Sequence, residues 1–577
     1  MQALSDVGVG SRGRSDRAED RALAMPPAAD RGLLRRMAIL LGVSWGYQKS
    51  PPPPRPGNSS LMPRRLAVAL GSFAMLASTM APAASLASTY DPAGDMNSMY
   101  NTTQYTGAQA FWSAGFTGAG VDVAIIDTGV SPVEGLSAPG KLVYGPDLSF
   151  ESQNEAFRNL DTNGHGTFMA GIIAGRGSGA VAGSYSGDST NFLGVAPDAR
   201  ILSVKVGVAD GGVDVSQVVA AIDWVVQHRT DNGMNIRVLN LSYGTDSLQP
   251  YLVDPLAFAV EQAWKAGIFV VTATGNAGYA FKTGTLTNPA YDPKIFAVGA
   301  SDSMGTAIQG DDLVASFSST GSNGRTPDVV APGAHLVSLR VPGSYIDQLF
   351  GSTGVVSGTL FRGSGTSEAA AFVSGAAALV IQQRPTISPD RLKRLFLFNT
   401  TGLAVSSLKQ GSGEVDLSKM LGAPTYPAPV QWKTIDWSTG IGSLELSRGT
   451  DHLTHDGVLL SGPIDIFGHQ FDSAAMALLE AAGNSWSGGV WNGNTWSGNS
   501  WSGTSWSGNS WSGNSWSGNS WSGNSWSGNS WSGNSWSGNS WSGNSWSGNS
   551  WSGNSWSGNS WSGNSWSSNS WMGVSWS

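Results

Sequence analysis

Four polar residues lie next to short apolar runs that predict buried strands or helices. Residues at such positions often take part in catalysis or binding. Asp127 and Asn276 each follow such a run, His165 precedes one, and Ser367 lies just before a small, uniformly apolar run. A serine at the N-terminus of a helix meets peptide N–H groups and the positive end of the helix dipole, both suited to a developing oxyanion. Taken singly, such an Asp, Ser or Asn is an ordinary turn or capping residue, so the interpretation depends on their coming together.

The sequence around these four residues predicts alternating strands and helices. Nearly continuous apolar runs, typical of buried parallel strands, lie at 121–126, 201–206, 238–241, 267–273 and 295–298. Helical patterns lie at 215–227, at 256–265 and, apolar on all sides as in a buried helix, at 372–381. This alternation predicts an α/β fold whose parallel sheet is covered on both faces, with ligands bound beyond the carboxyl ends of the strands.

The motifs around the four residues resemble those of the subtilisin-like serine peptidases. Asp-Thr-Gly at Asp127, His-Gly-Thr at His165 and Gly-Thr-Ser ending at Ser367 occur in that family's order. The Gly-Asn pair ending at Asn276 also falls at its usual place before the serine. The resemblance covers about 111–421, and it implies the family's three-layer α/β fold with a mainly parallel sheet.

The resemblance also implies a role for each residue in a serine endopeptidase that works through an acyl-enzyme. Ser367 would attack the peptide carbonyl, and His165 would take its proton and later deliver it to the leaving amine. Asp127 would orient the imidazole of His165 and stabilise its charged form. Asn276 and the backbone N–H of Ser367 would hold the tetrahedral oxyanion.

Two segments match those that flank an extended peptide substrate in the family. These strands are predicted at Gly211, Gly212 and Val213 and at Ser242, Tyr243 and Gly244. The wall of the S1 pocket is predicted at 242–244 together with Ala273, Thr274 and Gly275. No charged residue falls in these wall segments, which favours an apolar or broadly accepting pocket and protein or peptide substrates.

The chain departs from the family pattern close to the predicted nucleophile. Glu368 stands where many relatives have Met, and Ala371 stands where Pro is usual. Phe168 and Phe372 replace two histidines that are common in relatives. The alternative hypothesis is therefore a catalytically silent subtilisin-like scaffold that carries a binding or self-associating tail.

Composition excludes several other classes of chemistry. The chain has no cysteine, which excludes a Cys nucleophile, an iron–sulfur cluster and a Cys-based zinc site. A net charge of −8 without a basic block argues against nucleic acid as a partner. The chemistry requires no cofactor. The family often binds structural calcium, and Asp188 and Asn191 lie in a suitable loop, although such a loop is more often simply solvated; no other metal ligands are identified.

The ends of the chain predict a secreted or cell-surface protein. Residues 1–61 are predicted to be a disordered leader or an over-long gene model. Residues 62–87 have the basic start, apolar run and small-residue end of a signal peptide. The peptidase domain is assigned to 88–421, and a linker or small module to 422–483.

The last part, 484–577, is an uncharged low-complexity array with Trp at every fifth position. Its unit is Trp-Ser-Gly-Asn-Ser, and it holds 19 of the 25 tryptophans. A disordered or self-associating segment and an ordered coil both remain open interpretations. The aromatic faces suit cell-wall carbohydrate or other copies of the array, whereas the simpler alternative is a surface spacer.

Overall fold

The computed structural model describes residues 90–486 apart from 153, 155, 279–285, 323, 451, 456–457 and 467–469. The predicted leader, the signal peptide and the tryptophan array beyond Trp486 lie outside these residues.

The strands are short and are separated along the chain by helices. They are β1 (Asp122–Asp127), β2 (Leu142–Asp147), β3 (Arg200–Lys205), β4 (Ile236–Leu241), β5 (Phe269–Ala273), β6 (Phe296–Asp302), β7 (Leu313–Val314), β8 (Val329–Pro332), β9 (Leu336–Leu339), β10 (Leu360–Gly363), β11 (Thr400–Thr401), β12 (Glu414–Val415), β13 (Thr454–His455) and β14 (Val458–Leu459). In the described part of the chain, ten of them form one sheet in the order β11-β12-β8-β6-β5-β4-β1-β3-β2, with β7 paired to β6. Neighbours from β2 to β12 run parallel, and only β7 and β11 pair antiparallel within this described sheet.

The helices vary from one turn to five turns in length. They are α1 (Met99–Tyr105), α2 (Ala108–Ser113), α3 (His165–Ala174), α4 (Val215–His228), α5 (Pro255–Lys265), α6 (Tyr345–Gly354), α7 (Thr366–Gln383), α8 (Pro389–Phe398), α9 (Ser407–Gln410), α10 (Leu417–Leu421), α11 (Leu444–Arg448) and α12 (Ser473–Ala481). Short 3₁₀ helices lie at Asp231–Gly233, Gln309–Asp311 and Val430–Thr434.

Two groups of helices flank the sheet and complete three layers. Helices α3 and α7 pack on each other and on the central strands, while α4 and α5 pack on each other and on β1 and β5. Helix α7 is buried from Thr366 to Ile381, and its small residues allow close approach: a β-carbon at Gly375 would lie 2.7 Å from the β-carbon of Val195. The predicted three-layer α/β fold with a mainly parallel sheet is confirmed.

Described residues near both ends of the stretch 436–486 contact the surface formed by α4 and α5. The backbone N–H of Ser438 donates to Glu261 Oε2 at 2.7 Å, on helix α5. At the other end, the indole N–H of Trp486 donates to Asp223 Oδ2 at 2.6 Å, on helix α4. Trp486 is the first tryptophan of the array, so the described chain remains attached to the three-layer core as far as the first repeat.

Two buried carboxyl groups lie at this attachment. Burial raises the pKa of Asp223 to about 7, although hydrogen bonds from Ser485 and Trp486 act to lower it. Burial, together with the charge of Asp223, raises the pKa of Glu480 well above its ordinary value. Acids whose pKa is raised by folding favour the folded state at low pH. This contribution is complete below the ordinary carboxyl pKa of about 4 and is lost as the pH rises through the folded-state values.

Glu480→Gln should therefore raise the melting temperature at about pH 8 by about 2–4 °C and change it little at about pH 4. At the higher pH the folded state must either keep the Glu480 carboxyl protonated or bury its charge, and an amide avoids both costs. At the lower pH the carboxyl is protonated in any case, so the amide brings no gain. Differential scanning calorimetry at both pH values measures the effect. Glu134→Gln, at an exposed position, is the matched control and should show no such pH-dependent gain. An equal effect of Glu480→Gln at both pH values would count against a buried, proton-linked carboxyl.

Candidate active site

The strand order reverses at β1, which lies between β3 and β4. The carboxyl ends of β1, β4 and β5 therefore border one crevice, the place where α/β sheets usually bind ligands. Asp127 ends β1, Ser242 follows β4, and Ala273 ends β5. This arrangement brings residues that are far apart in the sequence to one edge of the sheet.

Asp127 and His165 are in direct contact in this crevice. Their side chains are 1% and 5% exposed, and Asp127 Oδ1 lies 2.8 Å from His165 Nδ1. A carboxylate only accepts hydrogen bonds, so Nδ1 carries the proton in this contact. In the neutral ring, Nε2 is then the nitrogen that accepts a proton.

Asp161 fixes the helix that carries His165. Its Oδ2 accepts the N–H of Thr167 at 2.7 Å, and its Oδ1 accepts the N–H of Gly164 at 2.7 Å. The same Oδ1 accepts the hydroxyl of Thr128 at 2.8 Å, which joins the start of α3 to the residue after Asp127. Asp161 thus positions His165 against Asp127. Sequence reasoning missed this residue, and its signal was an Asp at the start of the Asp-Thr-Asn-Gly-His run.

Ser367 is the second residue of α7 and is 2% exposed. Thr366, the residue before it, donates from both its backbone N–H and its hydroxyl to Asn276 Oδ1, at 2.9 Å each. With its amide oxygen used in this way, Asn276 has its NH₂ group left to donate beside the start of the helix. Thr366 is therefore a positioning residue for Asn276 that sequence reasoning also missed.

The end of β4 is tied to the same helix. Ser242 Oγ lies 3.4 Å from the backbone oxygen of Ser367, to which it donates, and it accepts from Asn240 Nδ2 at 3.0 Å. Asn240 in turn accepts the hydroxyl of Ser374, which lies about two turns after Ser367 on α7, at 2.9 Å. These contacts hold the segment after β4 at the mouth of the crevice.

The residues predicted to bind substrate border the crevice in loops. Residues 211–213 lie in the loop before α4, and 242–244 directly follow β4. Neither segment belongs to a β-ladder in the described structure, although the resemblance predicts two strands there. A strand is assigned only where a second extended chain pairs with it. Residues 273–275 complete β5 and turn away from it at Gly275, whose φ of 101° only glycine adopts readily.

Glu368 lies among these groups with 3% of its surface exposed. It lines a small cavity together with His165, Phe168 and Phe361. A β-carbon at Gly365 would lie 2.6 Å from Glu368 Oε2 and 3.4 Å from Asn276 Nδ2, so the carboxylate and the amide are neighbours across that glycine. Glu368, which stands where many relatives have Met, is therefore part of the site.

The acidic surroundings control the protonation of His165. Burial acts to lower the pKa of the imidazole, but the adjacent carboxylate of Asp127, with smaller contributions from Glu368 and Asp161, raises it to about 9. Burial raises the pKa of Glu368 to about 7, against the attraction of a charged His165. Between these two values the pair is Glu368 carboxylate and His165 imidazolium, a form that cannot accept a proton from serine.

Glu368→Gln should move the acidic limb of the kcat/KM profile to lower pH by about one unit. Removing the carboxylate destabilises the imidazolium, which lowers the pKa of His165 and frees the base at lower pH. Hydrolysis of a chromogenic peptide from about pH 6 to about pH 11 measures the limb. Asp231→Asn removes the same charge at the opposite edge of the sheet, before β4, and should leave the limb in place. An unchanged limb in Glu368→Gln would mean that Glu368 does not influence the base.

The predicted calcium loop does not fit a metal ion well. Asp188 Oδ1 accepts the N–H and hydroxyl of Thr190, at 2.9 and 2.8 Å, and Oδ2 accepts Asn191 Nδ2 at 2.8 Å. The carboxylate is therefore used within its own loop. In the described part of the chain, no group of three His, Cys, Asp or Glu side chains is placed to hold a metal ion. Structural calcium stays a prediction.

Comparison with known proteins agrees with this geometry. Residues 118–414 match the subtilase family, peptidase S8. Serine protease AprX of Bacillus subtilis (strain 168) is 39% identical over 285 residues, which span 48% of this chain and 61% of AprX, less than two thirds of that protein. Subtilisin Savinase of Lederbergia lenta is 34% identical over 309 residues, which span 54% of this chain and 93% of Savinase. The chain belongs to the subtilase family.

Proposed function

We propose that this chain is a serine endopeptidase that hydrolyses peptide bonds with Asp127, His165 and Ser367 as its catalytic triad. The observation that carries the proposal is the buried 2.8 Å contact between Asp127 and His165 at the mouth of the crevice. Ser367 at the start of the buried helix α7 and Asn276 beside it supply the other two parts that acyl transfer requires.

The proposed reaction has two halves. In the first, Ser367 Oγ bonds to the peptide carbonyl carbon while His165 Nε2 takes the hydroxyl proton, and that proton passes to the leaving amine as the C–N bond breaks. In the second, water attacks the resulting ester and gives its proton to His165, and Ser367 Oγ leaves with that proton. Asp127 stabilises the imidazolium in both halves, and Asn276 Nδ2 with the Ser367 N–H holds the oxyanion.

The substrate would lie extended between 211–213 and 242–244. Hydrogen bonds between the peptide backbone and these segments would hold the substrate, and such bonds tolerate many side chains. The uncharged residues 242–244 and 273–275 would form the S1 wall. We therefore propose broad specificity for protein and peptide substrates.

A catalytically silent scaffold is the second candidate, and one observation favours it. The carboxylate of Glu368 lies beside both the base and the proposed oxyanion donor, where negative charge opposes the reaction. Casein hydrolysis by the purified protein, at about pH 7 and about pH 10, distinguishes the two candidates. The enzyme should be active and faster at the higher pH, because His165 is then neutral; an inert protein at both values would support the scaffold.

We also propose that the protein is secreted and that the array retains it at a surface. In the residues that the structure describes, no helix is both long enough and apolar enough to span a membrane. The array carries no charge that would keep its copies apart, and its tryptophan rings can stack on sugars or on one another.

Removing residues 487–577 should leave peptide hydrolysis nearly intact and release the protein into the supernatant. This cut retains Ser485 and Trp486, which contact Gln227 and Asp223 of the core. Co-sedimentation of both forms, with and without insoluble polysaccharide, measures retention. Equal partition of both forms into the supernatant would make the array a spacer, and loss of short-peptide hydrolysis would place the array within the catalytic fold.

A further inference from the structure

The chain that follows the peptidase core returns to the proposed substrate cleft. We call residues 445–450 together with 452 and 453 the closing segment; they comprise most of helix α11 and described residues that follow it. Its members contact the residues directly after both substrate segments, those after 211–213 on one side and those after 242–244 on the other. No local sequence pattern signals these contacts, because the partners are 200 or more residues apart.

On the first side, Arg448 is anchored to Asp214, the residue after Val213. Arg448 Nε lies 2.6 Å from Asp214 Oδ2, and both side chains are 1% exposed. Arg448 also donates to the backbone oxygen of Gly462 at 2.6 Å and to Glu445 Oε2 at 3.1 Å. A buried arginine satisfied in this way is held firmly, because loss of either partner would leave an uncompensated charge.

On the second side, the closing segment is bonded to the two residues after Gly244. The hydroxyl of Thr245 donates to the backbone oxygen of Ser447 at 2.7 Å. The N–H and hydroxyl of Thr450 donate to the two carboxylate oxygens of Asp246, at 2.7 and 2.5 Å. The closing segment therefore bridges the two substrate segments.

Leu453 lies directly against the first substrate segment. A β-carbon at Gly212 would lie 3.0 Å from Leu453 Cδ2, so the leucine side chain covers the face that this glycine leaves open. Leu453 is half-buried, and its backbone oxygen accepts the N–H of Leu460 at 2.8 Å. An apolar side chain from outside the peptidase core thus borders the cleft.

The bridge stands at the end of the cleft that is far from the nucleophile. Ser242 contacts Ser367, whereas Asp246 is four residues further along the same segment. At about 3.3 Å per residue, four residues of an extended peptide cover about 13 Å, the most that four residues of chain can span. The acyl side of a substrate would reach the closing segment at the fourth residue before the cleaved bond.

We propose that the closing segment forms the far wall of the substrate cleft and that Leu453 restricts the fourth residue before the cleaved bond to a small side chain. This inference rests on the proposed function, because it takes 211–213 and 242–244 as the segments that bind the peptide. It makes a segment outside the matched family region a determinant of specificity.

Peptide binding to the Ser367→Ala protein tests this wall without relying on catalysis. Two peptides that differ only in alanine or phenylalanine at the fourth position before the scissile bond are titrated by calorimetry. The phenylalanine peptide should bind about tenfold more weakly than the alanine peptide, and adding Leu453→Ala should remove that difference. Leu453→Phe should widen it. Leu478→Ala, at a position 75% exposed on α12, is the matched control and should leave the ratio unchanged.

The same peptide ratio with and without Leu453→Ala and with Leu453→Phe would overturn the inference, as would failure of both peptides to bind. Equal melting temperatures of the variants establish that each has folded. Hydrolysis by the parent protein is measured separately. A parent that binds with the expected ratio but hydrolyses nothing would leave the wall in place and remove the proposed function.

Discussion

Ser367→Ala should lower kcat by about 10⁶-fold, the order of loss seen when a triad residue is removed from an enzyme of this family. The alanine cannot form the acyl-enzyme, and only the oxyanion donors and substrate binding remain to accelerate attack by water. The helix should still form, because Ser367 is the second residue of α7 and its side chain does not cap the helix. Initial rates on a chromogenic peptide and the melting temperature measure the two effects.

Ser364→Ala is the matched control for this loss. Ser364 lies in the same Gly-Ser-Gly-Thr-Ser run, and its hydroxyl oxygen accepts the N–H of His335 at 2.8 Å. Its replacement should keep kcat within about tenfold of the parent, because a single neutral hydrogen bond outside the triad is lost. If Ser367→Ala kept a rate similar to that of Ser364→Ala, another group would have to be the nucleophile.

Asn276→Ala should lower kcat by about 10²–10³-fold with little change in KM, because the amide N–H stabilises charge that exists only in the transition state. The alanine also removes the acceptor of Thr366, so part of a loss could come from movement of the helix start. Asn276→Asp separates these effects, since it keeps an oxygen for Thr366 and replaces the donor.

We expect Asn276→Asp to lose at least as much rate as Asn276→Ala. Both proteins should still react with a serine-directed label, more slowly than the parent, because Ser367 and His165 are unchanged. A kcat within about twofold of the parent in either variant would mean that other donors hold the oxyanion.

The central strands were predictable because each is buried on both faces and therefore forms a continuous apolar run. Predicted and observed bounds of β1 and β3 differ by one residue at each end. Helix α7 begins at Thr366, six residues before the predicted apolar run, because its first turn is built from capping and small residues that carry no hydrophobic pattern. The two-residue strands β7, β11 and β12 are too short to produce any pattern.

The site was predictable only where its residues belong to compact motifs. Asp127, His165 and Ser367 are each recognisable from the residues beside them, and the fold brings the first two together. Asp161 and Thr366 act through hydrogen bonds that any Asp or Thr could make, so their roles require coordinates. Arg448 meets Asp214 across 234 residues, and a pair of this kind leaves no local signal.

The most direct test of the account is covalent labelling of the parent protein with a fluorophosphonate, followed by mass spectrometry of the digested protein. Such a reagent phosphonylates a serine that an adjacent base activates, so it reports the nucleophile itself. We expect one adduct, on Ser367, that forms faster as the pH rises through about 9, where His165 becomes neutral. An adduct on another serine, or an unlabelled protein across the same pH range, would contradict it.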